Sequence, residues 1–143
     1  MSIERTREAM NRYWDSEHQD VGMMAEDVVF THMATGDEHR GPAAVRGMLD
    51  YMYRVAFEAR AEIRSRIVAE DQAVLEGEFV GTHIGEFAGI PATGRQVRVP
   101  LCVVYDLEDA MIKRARVYIE MPVLMRQLAS AGDRVEAVSG ASA

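Results

Sequence analysis

The chain has 143 residues, of which 48% are hydrophobic and 27% are charged, the size and composition of one ordinary globular domain. Its net charge of −7 argues against nucleic acid and anionic membranes as partners, because an acidic surface repels phosphate groups. The single cysteine, Cys102, excludes an intrachain disulfide and a cysteine metal cluster. No stretch approaches the ~20 apolar residues of a membrane helix, so we expect a cytoplasmic protein.

The first half of the chain has mainly helical spacing. Ser2 can cap a first helix, and Pro42 suits the first position of a later one, where its missing N–H is not needed. Apolar residues recur at helical intervals after both positions. The elements predicted in this half are a helix over residues 2–14, a short helix over 20–24, a strand over 28–32, a turn over 35–38 and a helix over 43–55.

From residue 59 onward the hydrophobic period changes to two, which is typical of strands with one solvated face. Pro122 can begin a final helix, and the Gly/Ser/Ala-rich residues 131–143 predict a flexible tail after a domain of residues 1–130. Helices followed by a meander of long strands favour an α+β fold with helices on one face of a curved antiparallel sheet. The predicted strands cover residues 59–67, 74–83, 95–107 and 111–119, with a glycine-rich loop over 85–94.

Three segments resemble a known family. Residues 81–97, GTHIGEFAGIPATGRQV, resemble a loop common in SnoaL-like polyketide cyclases. Residues 121–128, MPVLMRQL, are similar to that family's closing strand and helix, and residues 38–41 also resemble it. Over roughly residues 3–130 the resemblance implies the nuclear transport factor 2-like (cystatin-like) fold, a conical α+β barrel with helices on the concave face of its sheet. A pocket for a small hydrophobic molecule would lie between sheet and helices.

The resemblance also implies a cofactor-independent reaction, in which an acidic residue of the last strand acts as general acid/base while the pocket holds an enolate-type intermediate. Glu120 is the carboxylate at that end of the chain, so we assign it this role. His32, on a predicted apolar strand, would orient or polarise the ligand carbonyl. The remaining predicted substrate-binding residues are Trp14, Tyr51, Tyr118 and His83.

Structural roles are alternatives for several of these residues. Glu120 stands two positions before Pro122 and suits a helix start, and His83 could instead brace the long loop by a backbone hydrogen bond. Strand alternation places Glu120 on the face opposite Val117, the position where some relatives carry an acid. His18 is expected to be exposed. Nothing in the spacing of histidines and acids requires a metal site, so none is predicted.

Three functions remain open from the sequence. The first is a cyclase or isomerase acting on a hydrophobic, polyketide-like carbonyl compound. The second is a non-catalytic ligand-binding or dimerisation module of the same fold, favoured by Val117 in place of an acid. The third is a small epoxide hydrolase, which would need an Asp-Arg-Asp set. Val103 and Val104 point to opposite faces of a central strand with apolar neighbours on both, which predicts a homodimer through the outer sheet face.

Overall fold

The structure, a computed structural model, describes residues 2–129, so the tail predicted over 131–143 lies outside the described residues. None of the helices within residues 2–129 is long and apolar enough to span a membrane. In chain order the elements are α1 (Ile3–Asp15), β1 (Met24–His32), β2 (Glu38–Arg40), α2 (Pro42–Asp50) followed by a π-helical turn (Tyr51–Val55), β3 (Phe57–Val68), β4 (Gln72–His83), β5 (Gln96–Glu108), β6 (Met111–Ile119) and α3 (Met121–Ala129).

The six strands form one sheet in the order β2-β1-β6-β5-β4-β3. All neighbouring pairs are antiparallel except β1 and β6, which run parallel with His32 beside Val117. The predicted α+β fold is confirmed, with a sheet that is mixed and mostly antiparallel rather than wholly antiparallel. Strand β2 was not predicted, because three residues are too few to show an alternating pattern.

Helix α1 begins and ends as its sequence predicts. The Ser2 hydroxyl accepts a hydrogen bond from the Arg5 backbone N–H at 3.2 Å, which caps the first turn. After Asp15 the chain turns through left-handed backbone at His18 (φ 65°). The helix predicted over residues 20–24 is wrong. The Asp20 side chain instead accepts from the Gly22 N–H at 2.9 Å in a local turn, and β1 begins at Met24.

The helix predicted over residues 43–55 has the expected extent but two backbone forms. Pro42 lies at its first position, and regular α-helix ends at Asp50. The last predicted turn, Tyr51–Val55, is π-helical, and the Ala56 N–H closes it by donating to the Tyr51 carbonyl at 2.7 Å. Such widened turns are rare in proteins, and those that occur often lie at functional sites. Here the turn supplies three consecutive residues, 51–53, to the wall of the cavity described below.

The core lies between the inner face of the sheet and helices α1 and α2. In β5 every second residue from Val97 to Leu107 is buried, so this strand has one inner and one outer face. Tyr105 on that inner face meets Tyr13 of α1 edge-on, with ring centroids 6.0 Å apart. Burial of each large apolar side chain stabilises the fold by about 1.5–3 kcal/mol. These contacts hold α1 over the centre of the sheet.

Candidate functional site

A cavity of about 650 Å³ lies between the sheet and the helices. This volume falls within the range of roughly 300–1,000 Å³ that is usual for small-molecule sites. Most of its wall is hydrophobic, and helices, strands and loops all contribute lining residues. The larger apolar lining residues are Phe30, Met48, Leu49, Met52, Phe79, Phe87, Leu101, Val103, Val117, Ile119, Met121 and Met125.

One set of polar side chains in the cavity consists of three tyrosines and a histidine. Tyr13, Tyr53 and Tyr105 line the wall together with His18, whose ring stacks on Tyr53 at 5.5 Å and meets Tyr13 edge-on at 4.9 Å. Burial raises the pKa of all three phenols. Burial also lowers the pKa of His18 to about 4, with smaller effects from Arg54 and other cations. These groups are therefore neutral at physiological pH.

A second set of polar groups lies near the end of β1. His32 lines the cavity beside His39 of β2, with their rings 5.4 Å apart, and Thr35 and Asp37 of the connecting turn complete the set. The pKa of His32 is lowered, chiefly by burial and then by His39, while Asp37 acts in the opposite direction. The His32 backbone N–H donates to the Asp37 carbonyl at 2.8 Å, which fixes the turn against the strand.

The two polar sets are related through the rows of paired residues in the sheet. Pairing places Phe30, Ala115 and Tyr105 in one row across β1, β6 and β5. His32 lies in the next inward-facing row, beside Val117. Two residues of a strand span about 7 Å, and β1 and β5 lie about 9.5 Å apart because β6 runs between them, so the backbones of His32 and Tyr105 are roughly 12 Å apart. A polycyclic ligand is long enough to span that distance.

Glu120 does not reach this cavity. It is exposed and is not among the lining residues, whereas Val117 and Ile119 of β6 are. Its backbone N–H donates to the Pro100 carbonyl at 3.1 Å, and its own carbonyl accepts from Leu124 in the first turn of α3. The structure therefore does not bring Glu120 and His32 together. The reason is the strand alternation that puts Glu120 on the face opposite Val117.

The predicted substrate-binding residues are divided between the cavity and its surroundings. Tyr51 lines the cavity, and its hydroxyl donates to the Glu86 carbonyl at 2.5 Å. Tyr118 is 45% exposed and lies outside the cavity, on the outer face of β6. Trp14 lies behind the wall, where its indole N–H donates to the Tyr105 hydroxyl at 3.4 Å. Trp14 thus supports a lining residue rather than lining the cavity itself.

His83 is fully buried but does not line the cavity. Its ring packs against Phe57 at 5.1 Å, and its Nδ1 accepts a hydrogen bond from the Thr93 backbone N–H at 3.2 Å. The His83 backbone holds the same end of the loop, because its carbonyl accepts from the Gly94 N–H at 2.9 Å. This geometry is that of a loop brace.

Several cavity residues carry little signal in the sequence. His18 was expected to be exposed but is only 7% exposed, because the left-handed turn after α1 folds it back against the tyrosines. Asp37 belongs to the turn predicted over residues 35–38 and His39 follows it, and the sequence predicts that both side chains are exposed to solvent. Tyr13 belongs to the apolar stripe of α1, which predicts its burial but not the position of its hydroxyl.

The requirements of an Asp-Arg-Asp epoxide hydrolase site are not met at this cavity. Within residues 2–129, its lining includes one aspartate, Asp37, and no arginine. The closest arginine–aspartate pair of the last strands, Arg116 and Asp106 at 2.7 Å, belongs to the outer face of the sheet. This geometry gives no support to the epoxide hydrolase hypothesis.

Comparison with known proteins agrees with the fold. A family model described as SnoaL-like polyketide cyclase matches residues 4–128. The structure of a SnoaL-like polyketide cyclase from Jannaschia Sp. CCS1 is similar with a TM-score of 0.79 and 18% identity, over 90% of this chain and 94% of that chain. One from Agrobacterium tumefaciens str. C58 gives a TM-score of 0.71 and 23% identity, over 90% and 98%.

A more distant structure extends the likeness. A protein described as a ketosteroid isomerase, from Kribbella flavida DSM 17836, gives a TM-score of 0.61 and 14% identity, over 81% of this chain and 78% of that chain. At these identities the structural likeness shows the shared nuclear transport factor 2-like fold. No curated protein matches the chain in sequence.

Proposed function

Since this chain belongs to the SnoaL-like polyketide cyclase family, we propose that its cavity binds a small hydrophobic carbonyl compound and catalyses its cyclisation or isomerisation without a cofactor. The main observation in support of this proposal is the cavity. It holds about 650 Å³ behind an apolar wall, with polar side chains gathered in two sets. An apolar wall with few polar groups suits a polycyclic or polyketide-like ligand better than a sugar or a nucleotide.

We assign general acid/base catalysis to His32. A group that takes and returns a proton works best when its pKa lies near the operating pH. Burial lowers the pKa of His32, so its ring is neutral and ready to accept a proton at pH 7. Asp37 is the carboxylate among the described lining residues and lies beside it. The assignment replaces Glu120, which is exposed outside the cavity.

Proton exchange at a ketone tests this assignment. 1-Tetralone is a bicyclic ketone with enolisable protons, and NMR in D₂O measures how fast the protein exchanges them. We expect His32→Gln to lower the catalysed rate by about 10²–10⁴-fold, the usual contribution of a positioned acid/base, while tetralone still binds. Glu120→Gln is the matched carboxylate control and should exchange protons at the wild-type rate. Loss of exchange in Glu120→Gln with retention in His32→Gln would contradict the assignment.

A non-catalytic binding module is the second candidate. Val117 favours it, because this apolar side chain faces the cavity at the strand position where some relatives carry an acid. The same experiment separates the two functions. Tetralone that binds to the wild-type protein with no acceleration of exchange would support the binding module and would remove catalysis of this kind.

A further inference from the structure

A second cavity, of about 90 Å³, lies beside the one described above. We call it the side cavity and the larger one the main cavity. Its apolar lining comes from Trp14 of α1 and from one face of β3, which contributes Ala59, Ala61 and Ile63. The two alanine side chains are too short to fill the space beside Trp14. The charged lining residues are all exposed, so the side cavity opens to solvent; they are Glu17, Arg54 and Arg60.

Two side chains belong to the walls of both cavities. His18 and Tyr53 line the main cavity on one side and the side cavity on the other. Their rings lie nearly parallel, with 11° between their planes and 5.5 Å between centroids, and together they form a partition. His18 also meets the Tyr13 ring edge-on. The Tyr13 hydroxyl has no hydrogen-bond partner within residues 2–129, so ring packing alone provides this contact.

The partition and His32 lie toward opposite sides of the sheet. His32 belongs to β1, whereas the side cavity lies over β3, the edge strand at the far end of the order β2-β1-β6-β5-β4-β3. Tyr53 contacts Phe79 of the neighbouring strand β4, with ring centroids 5.2 Å apart. The main cavity thus extends across the sheet from His32 to the partition, and the side cavity continues in the same direction behind it.

A ligand whose carbonyl lies at His32 meets the partition as its carbon skeleton grows. We propose that His18 and Tyr53 set the upper limit of ligand length, because they close the main cavity against a side cavity that has room for an apolar extension. This inference rests on the proposed function, because it assumes that the reacting carbonyl lies at His32. It deepens that function by selecting ligands whose apolar skeleton ends at the two rings.

A series of 1-tetralones with a linear alkyl chain on carbon 6 tests the limit, because this chain points away from the carbonyl. Equilibrium dialysis should show that wild-type affinity rises about fourfold for each added methylene, the effect of burying that group, until the chain meets the partition. Longer chains should then bind no more tightly. His18→Gly removes the imidazole and suits the left-handed backbone at this position, so its affinity should keep rising beyond the wild-type limit.

Filling the side cavity provides the matched control. Ala61→Leu adds volume behind the partition and should leave the wild-type length limit unchanged. In combination with His18→Gly it should restore that limit, because the alkyl chain again has no space to enter. Removal of a buried ring is destabilising, so His18→Asn is the milder variant if His18→Gly does not fold. Its length limit should also exceed that of the wild type.

Trp14 adds a readout that a general loosening of the protein would not change. It is the single tryptophan of the chain and lines the side cavity but not the main cavity. A bromine atom at the end of the alkyl chain quenches tryptophan fluorescence on contact. Bound bromoalkyl tetralone should therefore quench Trp14 in His18→Gly, and should leave it unquenched in the wild type and in the protein that also carries Ala61→Leu.

The outcomes separate this inference from the function on which it rests. If 1-tetralone binds and the length limit is the same in wild type, His18→Gly and His18→Asn, the partition is overturned while the cavity function stands. A longer limit that persists with Ala61→Leu, or that appears without quenching of Trp14, would also overturn it, because the extra space then lies elsewhere. If 1-tetralone does not bind to the wild-type protein, the proposed function fails and the length limit fails with it.

Discussion

The pKa of His18 depends strongly on where the fold places this side chain. His18 follows helix α1 in a left-handed conformation, with φ at 65°, and is almost fully buried among tyrosine rings. Desolvation disfavours the imidazolium form, and this is the largest cause of its lowered pKa, about 4. An unfolded histidine titrates near 6.5, so folding requires His18 to stay unprotonated across an interval of about two pH units.

The pH dependence of stability follows from this difference. Between pH 6.5 and 4 the unfolded chain binds a proton at His18 that the folded chain does not, so stability falls as the pH falls. We expect the free energy of unfolding to decrease by about 2 kcal/mol between pH 7 and pH 5 through His18 alone. Urea titrations of wild type and His18→Asn should reveal it, because asparagine tolerates the left-handed conformation.

The control for this experiment keeps the buried histidine. His39→Asn changes another histidine of the cavity and should retain the wild-type loss of stability on acidification. His18→Asn should lose about 2 kcal/mol less than either protein over the same interval. Equal acid sensitivity in all three would show that His18 is not the group responsible.

At the residue scale, the alternation of side chains along a strand predicts which residues face the cavity better than residue type does. The period of two along β6 correctly places Glu120 on the face opposite Val117 and Ile119, although the resemblance favoured Glu120 as the catalytic acid. The position of His18 could not be predicted, because it depends on two successive left-handed residues after α1. Tyr13 is predictable as a buried residue, but an unpaired hydroxyl is a property of the packed cavity.

At the scale of elements, the loop between β4 and β5 is attached to the π-helical turn. The backbone N–H groups of Ile84 and Gly85 both donate to the Ala56 carbonyl, at 2.9 and 3.0 Å. The Tyr51 hydroxyl donates to the Glu86 carbonyl in the same loop. Phe87 of this loop lines the cavity. The turn and the loop therefore hold one side of the cavity wall between them.

Gly85 is the point of closest approach between this loop and the turn. A Cβ atom at this position would lie 2.4 Å from the Val55 carbonyl oxygen, a distance that real contacts do not reach. We expect Gly85→Ala to lower the free energy of unfolding by about 1–3 kcal/mol, since the loop or the turn must move. Urea unfolding measures this change directly.

Gly47 provides the matched substitution. It lies inside α2, and a Cβ atom there would meet nothing within 4 Å. Gly47→Ala should therefore raise stability by about 0.5–1 kcal/mol, because alanine loses less backbone freedom on forming a helix. A Gly85→Ala protein as stable as Gly47→Ala would show that the loop is not packed against the turn in this way.

Elements with a clear period are the ones that the sequence predicts well. The alternation along β3 to β6 and the stripe of α1 locate these elements to within a few residues. Strand β2 and the π-helical turn have no such period, since one is three residues long and the other shares its composition with a regular helix. Both contribute residues to the cavity wall, which explains why this part of the wall was harder to predict than the sheet.

At the scale of the whole molecule, the outer face of the sheet differs in polarity along its length. One part carries a network of ion pairs in which Arg98 contacts Glu62 and Glu78 at 2.9 and 2.6 Å. Another part is more apolar, with Val104 half-buried and Tyr118 45% exposed. An exposed apolar patch beside charged groups is typical of a protein–protein contact. This face is the one that we predict to form a homodimer.

A charge in the apolar patch should break that dimer. We expect wild-type protein at ~100 μM, well above a typical dissociation constant of specific dimers, to scatter light as a dimer and Val104→Glu to scatter as a monomer. Val55→Glu introduces the same change at a residue that is 57% exposed on the π-helical turn and should remain dimeric. A monomeric wild-type protein would remove the prediction.

The overall fold was predictable because the order of elements and the family resemblance agree. What neither gives is the parallel pairing of β1 with β6, which depends on how the sheet closes around the cavity. A meander of neighbouring strands, as in β3 to β6, follows from short turns such as the one between β5 and β6. The one non-sequential pairing of the described sheet joins the two halves of the chain.

This pairing has a consequence for how the protein matures during synthesis. Strand β1 leaves the ribosome early and finds β2 almost at once, but its other edge waits for β6, nearly the whole length of the domain later. His32 thus acquires its neighbour Val117 only when the last strand has been made. Contacts so distant in sequence form slowly, because a long loop must close before they are gained. Part of the cavity wall therefore cannot form before β6 has been made, because Val117 and Ile119 of that strand line the cavity.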